Sequence, residues 1–322
     1  MTTNKTRALI VGATGISGQA LCRAALEAGW TTYGLSRSGS VTVDGVIPVA
    51  ADLLDVNSLE EALNDVRPEV VFFTAWMKKD SEQENIEVNS ATLRNVLNVL
   101  GPLDSVKHVA LMTGLKHYLG PFDAYGEAVM AETPFHETED RLDTPNFYYA
   151  QEDELFAGAE KFGFGWSVHR AHTISGFAVG NAMNMMLTLS VYASICKELG
   201  EKFVFPGSET QWNGLTDLTD ADLLAEQMVW AATDDNAHNE AFNIANGDVF
   251  RWRWLWPQFA EHFGVEPEGF DTEPRPLEPR MSDAAAAWKR IAEKHDLVES
   301  DVSRLASWWH TDGDLGRDME CL

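Results

Sequence analysis

Cysteine is scarce. The 322 residues hold three, Cys22, Cys196 and Cys321, too few and too scattered for a disulfide framework. That excludes a stapled secreted fold and fits a reducing, cytoplasmic compartment. Positive charge is scarce as well: 24 Lys and Arg face 50 Asp and Glu, a net charge of −26. Such a chain repels nucleic acid and anionic membrane, so neither is expected as a partner. Long apolar runs are missing. The most apolar stretch, "MNMMLTLSVYASICK", is shorter than a membrane span and contains Asn184. The N-terminus, "MTTNKTRALIVGATG", enters a strand pattern with no apolar segment ahead of a small-residue cleavage site. No signal peptide is expected. There is no internal repeat and no low-complexity tract. The nine histidines and three cysteines show no ligand-like spacing, so no metal is expected.

What is present is an ordinary globular composition, 45% hydrophobic and 23% charged, enough for a sizeable core. Apolar strand runs alternate with helical periodicity. "RALIVGA", "TTYGLSR", "GVIPVAADL", "EVVFFTAW", "KHVALMTG" and "GWSVHRA" read as strands. "SGQALCRAALEAG", "SLEEALNDV", "ENIEVNSATLRNVLNVL" and "YYAQEDELFAGAEKFG" between them read as helices. The alternation predicts an α/β fold, a doubly wound parallel sheet of Rossmann type, over residues 1–173. After that the pattern loosens into a Met-rich helix, a Trp-rich region and a proline-studded loop. Residues 174–322 are expected to form a smaller, mostly helical substrate lobe, with 215–250 returning to the Rossmann core.

"LIVGATGISGQAL" sets Gly12, Gly15 and Gly18 between the first strand and the first helix. Glycines here let the backbone turn sharply and approach a pyrophosphate, which sits at the helix N-terminus. The end of the second strand reads "GLSRSGS". An acidic residue there would hold the 2′-hydroxyl of NAD; Ser36 and Arg37 instead offer a hydroxyl and a phosphate-matching fork, which favours NADP(H). Asp52 could meet an adenine amino group or serve an ordinary turn.

A glycine triplet of this kind points to a short-chain dehydrogenase-like enzyme of the extended type. Such enzymes carry a Tyr-x-x-x-Lys pair on one helix face. None of the six tyrosines here has a lysine four residues on; Tyr148 is followed at that spacing by Glu152. Either the chain is not an active reductase or the cation comes from elsewhere, and Lys116 lies on the loop three residues past the strand "VALMT".

"TGLKHYLGPF", "NFYYAQED", "SEQENIEVNS", "WSVHRAHTISGF" and "AFNIANGDVFRW" together resemble the progesterone 5-beta-reductase and iridoid synthase-like family, an atypical short-chain dehydrogenase group. The resemblance implies NADPH-dependent reduction of the activated C=C bond of enones and enals. It implies Lys116 and Tyr148 as the catalytic pair. Cofactor contacts are expected from Gly12, Thr14, Gly15, Ile16, Ser36, Arg37, Asp52, Leu53, Thr74, Thr113, Tyr148, Ala171 and Thr173. Substrate contacts are expected from Trp76, Leu119, Phe122 and Tyr149, with Tyr149 also readable as a packed neighbour. His172 is readable as a ribose contact or as a structural histidine, and Met183, Met185 and Met186 as pocket wall or as core. Family members usually continue past "RDMECL" and their pockets receive residues from that tail; a truncated sequence and a naturally short protein are both left open, and the substrate wall readable here is incomplete. The partner is a small enone, enal or carbonyl compound, and a homodimer is left open. A carbonyl reductase using the same pair and a non-catalytic dinucleotide-sensing regulator are the alternatives; a sugar-nucleotide epimerase would need the Tyr-x-x-x-Lys pair.

Overall fold

In the computed structural model, which describes residues 5–121, 132–181, 183–320 and 322, the chain divides into two units. The described residues of the first are 5–121, 136–172 and 219–245; those of the second fall within 132–135, 173–218 and 246–322.

The first unit is built on seven strands: β1 (Arg7–Val11), β2 (Thr31–Ser36), β3 (Ile47–Ala50), β4 (Val70–Phe73), β5 (His108–Gly114), β6 (Gly165–Ala171) and β7 (Glu240–Ile244). They lie in the order β7-β6-β5-β4-β1-β2-β3, and every neighbouring pair is parallel. Parallel strands need both faces covered. β4 is accordingly buried throughout, and β1 is buried from Ala8 onward. The covering helices are α1 (Ile16–Glu27), α2 (Val56–Leu63), α3 (Glu82–Leu100), α4 (Lys116–Leu119), α5 (Phe147–Phe162) and α6 (Ala221–Ala231). α3 packs against α5, and α1 against α6. Leu93, Val96 and Leu97 of α3 and Leu155 of α5 close one core with Leu9, Val71, Phe73, Val109, Leu111 and Val168 of the strands. The strand order reverses between β1 and β4. A sheet wound this way opens a crevice at the C-terminal strand ends, beside the switch point.

A buried polar chain crosses β5 and β6. His108 Nε2 lies 2.8 Å from Ser167 Oγ, Ser167 Oγ 2.9 Å from His169 Nε2, and His169 Nδ1 2.8 Å from Gln227 Oε1 on α6. Burial pulls the pKa of both histidines down to about 4, helped at His108 by the neighbouring His169 and His238. Unfolding returns each to its ordinary value near 6.5. The unfolded chain therefore binds more protons between those limits, and this part of the stability is lost as pH falls from about 6.5 toward 4. His169→Gln is expected to melt with a smaller drop between pH 7 and pH 5 than the parent, whatever its offset at pH 7. Parallel melting curves across that range would contradict this.

The second unit is mostly helical, with helices at Met185–Leu199, Trp252–Phe263 and Ala284–His295. Its core gathers Leu189, Tyr192, Phe203, Phe205, Trp252 and Trp256, with Phe203 stacked on Trp256 at 3.9 Å. Met185 is buried in that core, and Met186 packs against it half-buried. No described helix in either unit is long and apolar enough to cross a membrane.

Candidate active site

The loop from β1 to α1 owes its shape to two glycines. Gly12 has φ +92°, and a Cβ there would stand 2.9 Å from the Thr74 hydroxyl. A Cβ on Gly18 would meet the Gly12 carbonyl oxygen at 2.1 Å, so α1 packs on the loop only without a side chain. The loop is pinned by Gly12 and Ala13 N–H donating to the Leu35 carbonyl at 3.1 and 3.2 Å. Gln19 Nε2 donates to the Thr14 carbonyl at 3.0 Å. Gly15 is the N-cap of α1, and no side chain caps that end. Thr14 is exposed, Gly15 half-buried and Ile16 buried. Thr74 spends its hydroxyl on the Val11 carbonyl at 2.9 Å.

Beyond β2, Ser36 Oγ donates to the Ser40 carbonyl at 2.9 Å and tightens the turn. Arg37 is exposed, and no hydrogen bond or ion pair to another described residue holds its guanidinium. Asp52 accepts the Leu54 N–H at 2.9 Å, the ordinary-turn reading of that aspartate. Leu53 is buried, and its carbonyl accepts from Asn95 Nδ2 at 3.0 Å.

At the end of β5 the chain departs from expectation. Lys116 does not lie on an open loop but opens the one-turn helix α4. Leu119 N–H donates to the Leu115 carbonyl, and Gly120 N–H to that of Lys116, each at 3.0 Å. Gly120, at φ +75°, then lets the chain leave. Lys116 is only 6% exposed. Its ammonium lies 4.6 Å from the centre of the Phe147 ring and 5.9 Å from that of Trp76. Trp76 and Phe147 stack at 5.5 Å, 9° from parallel, and Tyr148 packs on Phe147 at 4.3 Å. Phe147 is therefore a neighbour of both the ammonium and the Tyr148 ring. The Tyr148 hydroxyl reaches the end of β5: it lies 3.5 Å from where a Cβ on Gly114 would stand, and the Ala171 carbonyl lies 3.0 Å from the same point. Thr113, one residue earlier, is buried, and its hydroxyl has no hydrogen-bond partner among the described residues. Burial, aided by the nearby Glu82 carboxylate, pushes the Tyr148 phenol well above the ordinary tyrosine range. It stays an O–H donor rather than a tyrosinate.

The position four residues after Tyr148 holds an anion. Glu152 is buried, takes Arg141 Nη2 at 2.8 Å and lies 4.0 Å from His117 Nδ1. Burial raises its pKa against the pull of Arg170 and Arg141. Burial and the Arg170 charge hold that of His117 down at about 4. Tyr149 is not open to a substrate through its hydroxyl: it donates to the His117 carbonyl at 2.5 Å and accepts the Leu142 N–H at 3.0 Å. It fastens α4 instead, as does Tyr118, which donates to Asn243 at 2.7 Å and accepts from Arg170 at 3.1 Å. Leu119 is buried beside them in α4. His172 is half-buried and gives its N–H to Thr219 Oγ1 at 3.1 Å. Thr173, half-buried, belongs to the second unit. Phe122 lies outside the described residues. Among the described residues no group of three or more His, Cys, Asp or Glu side chains could hold a metal ion.

Residue-by-residue reading passed over Phe147, Glu82 and Asn146, all inside quoted motifs. Asn146 was within reach: an Asn just before an apolar helical run is an N-cap signal. Glu82, whose carboxylate accepts the Phe147 N–H at 2.7 Å from 65 residues away, carries no local signal.

A family model described as "PRISE-like Rossmann-fold domain" matches residues 43–307. An (S)-8-oxocitronellyl enol synthase of Camptotheca acuminata is 41% identical over 330 residues, covering 98% of this chain and 84% of that protein. A 3-oxo-Delta(4,5)-steroid 5-beta-reductase of Arabidopsis thaliana is 39% identical over 321 residues, covering 96% and 82%. Among solved structures, a UDP-glucose 4-epimerase of Thermotoga maritima with UDP-glucose matches with a TM-score of 0.66 at 19% identity, over 84% of this chain and 86% of that one. A UDP-glucose 4-epimerase of Thermus thermophilus in complex with NAD gives 0.64 at 18%, over 95% and 99%. At such identities the likeness to these two structures is one of fold alone.

Proposed function

This chain belongs to the PRISE-like Rossmann-fold family, and from that premise we propose that it reduces the activated C=C bond of enones and enals with NADPH. The observation that carries the reading is the pairing at the end of β5. The Lys116 ammonium and the Tyr148 ring share Phe147 as a neighbour, while the place of the usual i+4 lysine is held by the ion-paired Glu152. The relatives named for enol synthesis and for 5-beta reduction of a 3-oxo-Delta(4,5)-steroid support the substrate class.

The residues present fit a nicotinamide dinucleotide. The glycine loop leaves the α1 N-terminus without a side-chain cap, as a pyrophosphate requires. The buried Thr113 hydroxyl supports a polar ligand at the end of β5. When bound, NADPH would supply the hydride that the β-carbon of the conjugated system takes up. The protein's task is the oxygen at the other end, where negative charge develops. The Tyr148 O–H, kept protonated by its surroundings, donates to that oxygen. The Lys116 ammonium, set on two ring faces with little water, adds its positive charge. Water protonates the α-carbon. Full proton delivery from the phenol, which a ketone reductase needs, is disfavoured by the same burial that raises its pKa.

Incubation with NADPH and 2-cyclohexen-1-one tests the reading. Cyclohexanone is the expected product. The allylic alcohol would make the protein a carbonyl reductase, and no NADPH oxidation across a panel of enones and aldehydes would make it a dinucleotide sensor. The cofactor choice rests on Arg37, exposed just past β2. Arg37→Ala is expected to raise KM for NADPH by about tenfold, the worth of one charge-assisted pair, and to leave KM for NADH within about twofold. Equal shifts for both cofactors would remove the phosphate argument.

A further inference from the structure

One buried side chain joins the two candidate catalytic residues through their backbones. Asn146 is 3% exposed. Its Nδ2 donates to the Lys116 carbonyl at 2.7 Å, and its Oδ1 accepts the Tyr148 N–H at 3.0 Å. Both ends of a single planar amide are used, one on the first residue of α4 and the other in the first turn of α5. An N-cap role needs only the oxygen. The donor, spent across 30 residues on α4, is extra to it.

Resting on the reading above, we infer that Asn146 is a positioning residue that sets the Lys116 turn against Tyr148. The carbonyl of Lys116 already accepts the Gly120 N–H that closes α4, at 3.0 Å. The Asn146 donor takes the second lone pair of that oxygen, as a carbonyl allows. The clasp therefore holds the turn from outside without opening it. Other groups of α4 are tied to the same stretch of chain: Tyr149 takes the His117 carbonyl and Glu152 faces the His117 ring. Asn146 touches the backbone of Lys116 and of Tyr148 together.

Asn146→Ser and Asn146→Asp separate the clasp from the cap. Serine and aspartate cap helices about as well as asparagine, so a capping role alone makes both variants neutral. Serine lacks the donor, and aspartate turns a carboxylate oxygen toward the Lys116 carbonyl. Both are expected to fold, to lower kcat on the order of tenfold, as a small misplacement of a catalytic group does, and to keep KM for NADPH within about twofold. In a Lys116→Ala background either change is expected to move kcat by less than about twofold, because the group being positioned is gone. Wild-type kcat in both variants, or the same tenfold loss with and without Lys116, overturns the inference. A wild-type rate in Lys116→Ala alone would instead remove the catalytic reading of that lysine. A crystal structure of Asn146→Asp then decides the clasp: displacement of the α4 turn from Phe147 supports it, and an unmoved turn overturns it.

Discussion

Replacing Tyr148 with phenylalanine is expected to lower kcat for 2-cyclohexen-1-one by a factor of about 100 or more, the usual cost of losing one oxyanion donor. The substitution is a clean one. The ring keeps its packing on Phe147 at 4.3 Å, α5 keeps its Asn146 cap, and only the hydroxyl near Gly114 disappears. KM for NADPH is therefore expected to stay within about threefold, which locates the loss in the transition state rather than in binding. Tyr149 offers no relief, because its hydroxyl is committed to the His117 carbonyl and the Leu142 N–H. Steady-state kinetics of the pure variant reads the result. Activity within tenfold of the parent would take the phenol out of the mechanism.

Lys116→Ala is expected to cost a similar factor, on the order of 100, and Lys116→Met the same. The methionine control matters because the Lys116 side chain also packs against the Phe147 and Trp76 rings, so alanine removes bulk as well as charge. Methionine keeps apolar bulk there and removes the charge. If Lys116→Met retains activity while Lys116→Ala loses it, the residue serves packing and not charge. The double variant with Tyr148→Phe is expected to lose less than the product of the single losses, the result for two groups that serve one oxygen as proposed.

The contrast between what could and could not be read in the sequence follows sequence distance. The strands of the sheet were legible because a parallel strand must be apolar on both faces, as "VVFF" of β4 shows. The glycine loop was legible because a tight turn and a close helix leave Gly12 and Gly18 no alternative. α4 was not: four residues hold barely one turn, too little for a period to show. The tyrosine and lysine came from a family resemblance. What holds them in place joins residues 30, 32 and 65 positions apart: Asn146 to Lys116, Tyr149 to His117, Glu82 to Phe147. Local propensity contains none of these pairings. The polar fate of Ser36 and Asp52 was hidden for the opposite reason. Each is satisfied within a few residues, by Ser40 and Leu54, and such turns compete with any ligand for the same groups.

The destination of the hydride separates enone reduction from carbonyl reduction most directly. With NADPH carrying deuterium at the transferable C4 position and 2-cyclohexen-1-one as substrate, cyclohexanone labelled at the β-carbon is expected. Deuterium on the carbinol carbon of 2-cyclohexen-1-ol would contradict enone reduction.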